Sequence, residues 1–133
     1  MENLSVAARA ELIGRIGDQS VLQAFEIIVS GMEKLDRFHL TPNISGQKKS
    51  LHFKTGNVSY FAFIANRSWL LWYFRRPGVN NGIFDFDELQ GIFPSLEFST
   101  RADPQKREGL LRIHNENEAM QVLTFVGSRV SRL

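Results

Sequence analysis

Two apolar runs, Val58 to Ala65 and Ser68 to Arg75, are separated only by the turn pair Asn66-Arg67, and they constrain the fold more than any other part of the chain. An antiparallel strand pair with one wet face alternates apolar and polar residues. These runs do not. One side of the first run takes Val58, Tyr60, Ala62 and Ile64, and the other takes Ser59, Phe61, Phe63 and Ala65. The second run puts Leu70, Trp72 and Phe74 on one side and Trp69, Leu71 and Tyr73 on the other. Both faces of this hairpin are apolar and aromatic. Two arrangements satisfy that pattern: helices cover both faces, or one face stays open and its aromatics meet a ligand.

The remaining periodicities supply the helices and the other strands. Ser5 caps a short helix that ends near Gly17, and Asp18 or Ser20 caps a second. In the second helix Val21, Leu22, Phe25, Ile28, Val29, Met32 and Leu35 recur at helical spacing. Residues 36–47, with Pro42, Asn43, Ser45 and Gly46, read as a loop. Leu51 to Lys54 then forms a strand that Gly56-Asn57 turns into Val58 to Ala65. Asp85 or Asp87 caps a short helix that stops at Pro94, and Ser95 to Thr100 and Leu110 to His114 make two further strands. Between these strands, Arg101 to Glu108 reads as a solvated turn. Asn115 or Asn117 starts a last helix with Ala119, Met120, Leu123, Val126 and Val130 inward. The expectation is one α+β domain spanning residues 1–133. Its antiparallel sheet has about five strands and an aromatic central hairpin, packed by N-terminal and C-terminal helices. A length of 133 residues suits one domain.

Charge is distributed unevenly. From Arg37 to Phe84 the chain has seven basic residues and no acid, with three basic and six acidic residues before it and six basic and eight acidic after. The same stretch holds both tryptophans and both tyrosines. A basic, aromatic centre points to an anionic or flat ligand. Lys48, Lys49, Lys54, Arg67, Arg75 and Arg76 would neutralise phosphates. Whichever of Tyr60, Trp69, Trp72 and Tyr73 is exposed would stack on bases, at about 1–3 kcal/mol per base. Lys54 and Arg75-Arg76 are expected at one edge of the meander and Arg67 at the opposite one. The leading expectation is therefore a non-enzymatic domain binding nucleic acid, single-stranded rather than duplex. A small interaction protein (an inhibitor, immunity protein or assembly subunit) fits the same pattern, with an acidic protein or a second copy of the chain as partner.

Catalytic patterns are incomplete. The chain has no cysteine, which removes disulfides, thiol chemistry and cysteine-ligated zinc and fits an intracellular protein. His39-Leu40-Thr41 matches half of a paired His-x-Thr/Ser phosphoesterase pattern, but His114 is followed by Asn115-Glu116 and lacks the hydroxyl. Asp87 and Glu97 have the spacing of a metal-dependent nuclease, but Ser99 stands where the lysine belongs. No phosphate loop, dinucleotide fingerprint or zinc-protease motif occurs, so no cofactor or metal is expected. The N-terminus Met1-Glu2-Asn3-Leu4 shows no signal peptide, and no apolar run approaches the roughly 20 residues of a membrane span. Cytoplasmic is the expected location.

Overall fold

The central hairpin lies in the middle of a six-stranded antiparallel sheet. A computed structural model describes residues 4–99 and 103–133. The elements run α1 (Val6–Ile13), α2 (Gln19–Lys34), β1 (His39–Asn43), β2 (Lys49–Thr55), β3 (Val58–Ala65) and β4 (Leu70–Phe74). Then come α3 (Arg76–Asn80), α4 (Phe86–Ile92), β5 (Glu97–Phe98), β6 (Gly109–Ile113) and α5 (Glu116–Arg129). The strand order is β1-β2-β3-β4-β6-β5, a meander of four strands closed by a hairpin whose second strand sits inside. The fold is the expected single α+β domain, with one strand more than the sequence suggests.

The extra strand is β1, which falls in the expected loop. Pro42 in its middle lowers strand propensity, yet β1 is the sheet edge, where a missing N–H need not break a ladder. The stretch after Arg75 corrects the reading in the other direction, since α3 occupies part of the expected loop. Helix starts follow side-chain chemistry. Ser5, Asp18, Asp85 and Asn115 each accept a hydrogen bond from a backbone N–H in the first turn of α1, α2, α4 and α5. Met120 departs from its expected inward place: it is 52 % exposed, while Ala119, Val122, Phe125 and Val126 make the buried stripe. At the β2–β3 turn, Gly56 takes φ +62°, a left-handed conformation that glycine enters without steric cost.

The helices gather on one face of the sheet. Phe25 of α2 meets Phe63 of β3 edge-on at 5.9 Å, and Phe125 of α5 meets Phe74 of β4 at 5.7 Å. Trp72 lies between Phe53 and Phe61, at 5.6 and 5.7 Å, and is fully buried. This face also buries Leu51 and Leu70. The opposite face is bare over much of its area. Its central row crosses all six strands as Thr41, His52, Ala62, Tyr73, Leu110 and Glu97. His52, Tyr73 and Leu110 in that row are only half-buried. Of the two arrangements that the hairpin pattern allows, the chain adopts the one with a single covered face.

Candidate functional site

One end of the bare face is shaped by a β-bulge. Pairing between β2 and β3 slips after Phe53, so that Phe53 faces Phe61 and Lys54 faces Ser59, leaving Tyr60 as the extra residue. Bulges bend a strand and re-aim its side chains. Here Ser59 joins His52 and Arg75, while the Tyr60 hydroxyl accepts a hydrogen bond from Asn81 Nδ2 at 3.0 Å. Beside them opens a cleft of about 670 Å³, walled by β1, the β2–β3 hairpin, Arg75 and α3. Every lining residue lies between Thr41 and Asn81, inside the acid-free stretch. Lys54 and Arg75 supply its charge and Asn43, Asn57, Asn80 and Asn81 its amides, with no carboxylate in the wall among the described residues.

A hydrogen-bonded chain fixes Arg75 in this wall. Its Nε donates to the Glu108 carboxylate and its Nη1 donates to Ser59 Oγ at 3.2 Å. Ser59 Oγ lies 3.0 Å from His52 Nδ1, and Arg75 Nη1 lies 3.4 Å from the same nitrogen. A guanidinium only donates, so Nδ1 is the acceptor and the proton of the neutral ring sits on Nε2. Burial holds the His52 pKa below the ordinary histidine value, and the positive charges of Arg75 and Lys54 push it the same way against a smaller opposing effect of Glu108. His52 is therefore a neutral donor at pH 7. Among the described residues no carboxylate is hydrogen-bonded to it as in a catalytic triad, and Glu108 is engaged by Arg75.

The expected binding residues do not form one surface. Lys54 and Arg75 share the cleft, and Tyr73 lies at the centre of the bare face. Arg76 starts α3 with its guanidinium over the Phe86 ring at 5.5 Å. Lys48, Lys49 and Arg67 collect at the other end of the strands, as the pairing of Lys49 with Ala65 requires. Lys49 donates to the Ile44 carbonyl at 2.5 Å and lies 3.8 Å from Glu11. Trp69 adjoins β4 at that far end, with Arg112 stacked over its ring at 5.2 Å and Glu97 holding Arg112 at 2.7 Å. Trp72 is a core residue and has no surface to offer a base. Tyr60 is buried as well.

Most of the cleft lining was not among the expected site residues, His52, Ser59 and Asn81 included, nor was Glu108, which anchors Arg75 from outside the cleft. His52 and Lys54 alternate on one strand before Gly56-Asn57, so hairpin pairing could have brought in Ser59. Glu108 carried no such signal. Expected to be part of a solvated turn, it is instead buried against Arg75. Thr100 to Ala102, which complete the expected strand and begin that turn, lie outside the described residues, as does Met1-Glu2-Asn3.

The half-matched histidine pair stays apart. His39 on β1 and His114 after β6 are separated by four strand spacings, about 19 Å at the usual interstrand distance. His114 Nδ1 lies 2.9 Å from Glu118. Of the nuclease-like pair, Asp87 lies in the first turn of α4 and Glu97 is paired with Arg112. Among the described residues, no group of three or more His, Asp or Glu side chains is placed to hold a metal ion. Nor is any helix among them long and apolar enough to cross a membrane.

The fold and site define an α+β domain built on a sheet with one uncovered face and a cationic cleft at its end. No protein-family model matches the chain, and no curated protein or solved structure matches it.

Proposed function

We propose that the chain is a protein-interaction module that docks an acidic partner surface on the bare face of its sheet. The carrying observation is the composition of that face. Ile64, Leu71 and Leu110 are half-buried around Ala62 and Tyr73, an aliphatic centre with one aromatic ring. Lys54 and Arg75 lie at one end of it. An apolar centre with a polar, charged border is the anatomy of a protein interface. The cationic end supplies the complementarity that orients an acidic partner.

Single-stranded nucleic acid is the weaker reading on this geometry. Trp72 and Tyr60 are buried, and Arg112 already occupies a face of Trp69. The expected cations are split, with Lys54 and Arg75 at one end of the strands and Lys48, Lys49 and Arg67 at the other, and Lys49 lies near Glu11. A split set of cations meets fewer phosphates of one strand and gives a smaller salt-dependent affinity.

The test compares wild type with Leu71→Asp and Ile64→Asp, which place a charge at the centre of the face. Immobilised wild type should retain one acidic protein from an extract of its native cells, and both variants should lose it while folding normally. Binding to labelled single-stranded DNA or RNA at low salt should be absent. Salt-sensitive oligonucleotide binding that Tyr73→Ala abolishes would overturn the proposal in favour of nucleic acid. A wild-type dimer that Leu71→Asp dissociates would make the partner a second copy of the chain.

A further inference from the structure

We infer that the cleft at the end of the bare face is a binding site for a small oxyanion, a phosphate or carboxylate group, independent of any protein docked on the sheet. Three donors of different kinds converge on it. Lys54 brings an ammonium with no ion-pair partner among the described residues. Arg75 uses one N–H on Glu108, one on Ser59 and one towards His52 Nδ1, and a guanidinium has five. His52 presents Nε2–H when its Nδ1 accepts from the Arg75 guanidinium, which lies 3.4 Å away and can only donate. The two cations and the histidine come from β2 and from the end of β4, so the sheet holds their spacing and little ordering is needed on binding.

The walls suit an anion. Asn57 and Asn80 add side-chain amides, Thr41 adds a hydroxyl, and among the described residues no Asp or Glu lines the cavity. A volume of about 670 Å³ lies within the range of small-molecule clefts, so the group can belong to a molecule larger than a bare ion. The ion pair with Glu108 does not cancel the site. Glu108 is buried beside Arg75 on the sheet, outside the cleft wall, where it anchors the guanidinium. A cation held from one side keeps its remaining N–H groups in a fixed orientation for a ligand oxygen.

The experiment is an NMR titration of the folded full-length chain at pH 7 and constant ionic strength, with inorganic phosphate in one arm and acetate in the other. Saturable shifts should appear at the His52 ring and at the amides of Lys54, Asn57 and Asn80. Lys54→Met should weaken that binding at least tenfold, while Arg15→Met, which removes an exposed cation elsewhere, should leave it unchanged. Tighter binding in the phosphate arm would assign phosphate, and the reverse would assign carboxylate. Asn80→Ala, on the cleft rim, gives the same comparison with a several-fold loss if Lys54→Met does not fold. Shifts that fail to saturate in both arms, or that persist at equal strength in the cleft variants, overturn the inference. A protein that still captures its partner through Leu71 and Ile64 while ignoring both anions would overturn this site alone.

Discussion

Arg75 and Glu108, thirty-three residues apart, form an ion pair that ties the end of β4 to the start of β6. Glu108 is nearly buried, with its side chain 10 % exposed, and Arg75 is 28 % exposed. Taking away one member of a buried pair leaves the other charge desolvated without compensation. Glu108→Ala should therefore destabilise the domain by about 1–3 kcal/mol, less than a fully buried pair because Arg75 keeps some water. Urea denaturation measures it, and an unchanged midpoint would contradict the pairing. The same relationship disqualifies Arg75→Glu as a probe of binding, because it sets two carboxylates against each other and should unfold the site first.

Stability should depend on pH through His52. Its folded-state pKa lies below the unfolded value near 6.5, because burial and the charges of Arg75 and Lys54 disfavour the imidazolium. As pH falls through the unfolded pKa, the unfolded chain takes up a proton that the folded chain does not. The contribution is thus complete above the unfolded pKa, declines as pH drops, and levels off once pH is below the folded pKa. Replacing His52 with Asn, whose side-chain oxygen can still accept from Ser59, should flatten this part of the profile. Melting temperatures of both proteins between pH 7.5 and pH 5 test it, and parallel curves would refute it.

The two tryptophans should behave as opposites. Trp72→Ala removes a fully buried side chain packed against Phe53 and Phe61 and should cost about 3–5 kcal/mol. Trp69→Ala, at the end of the bare face, loses mainly the contact with Arg112 and should cost about 1 kcal/mol. Equal losses in thermal or urea unfolding would mean that Trp69 is also a core residue.

Gly78 should resist substitution for a steric reason. A Cβ at this position in α3 would run into the ring of Phe84, which packs in turn on Phe61, Phe74 and Phe125. The Phe84 ring is held by these neighbours, so Gly78→Ala should destabilise by about 1–3 kcal/mol through overpacking. Gly46, where a Cβ meets open space, is the control and should accept alanine with little change.

Much of this architecture was legible along the chain. Local chemistry announced the cap at Ser5, narrowed the others to Asp18 or Ser20, Asp85 or Asp87 and Asn115 or Asn117, and marked the turn at Gly56-Asn57 and the inward stripe of α2, because each depends on neighbours within a few positions. The reading failed where a distant part of the chain decided. Pro42 concealed β1, which exists because Leu51 and its neighbours offer a ladder to an edge strand. The α5 stripe rotated away from Met120 because packing against α2 chose the buried face. The split of the basic residues was legible for Lys54 and Arg75 at one end and Arg67 at the other, but not for Lys48 and Lys49, which fold to the Arg67 end.

By itself the sequence determined an α+β chain with a strongly apolar central hairpin and an acid-free, basic middle, since periodicity and composition are local properties. Only the tertiary structure decided which face of that hairpin was covered. Both faces are apolar, and the choice follows from where α2 and α5 can pack together. The tertiary structure also brought Glu108 to Arg75 and Glu11 towards Lys49, carboxylates from outside the acid-free stretch. Electrostatic interaction depends on separation in space, so a charge pattern read along the chain becomes a site only when folding sets those distances.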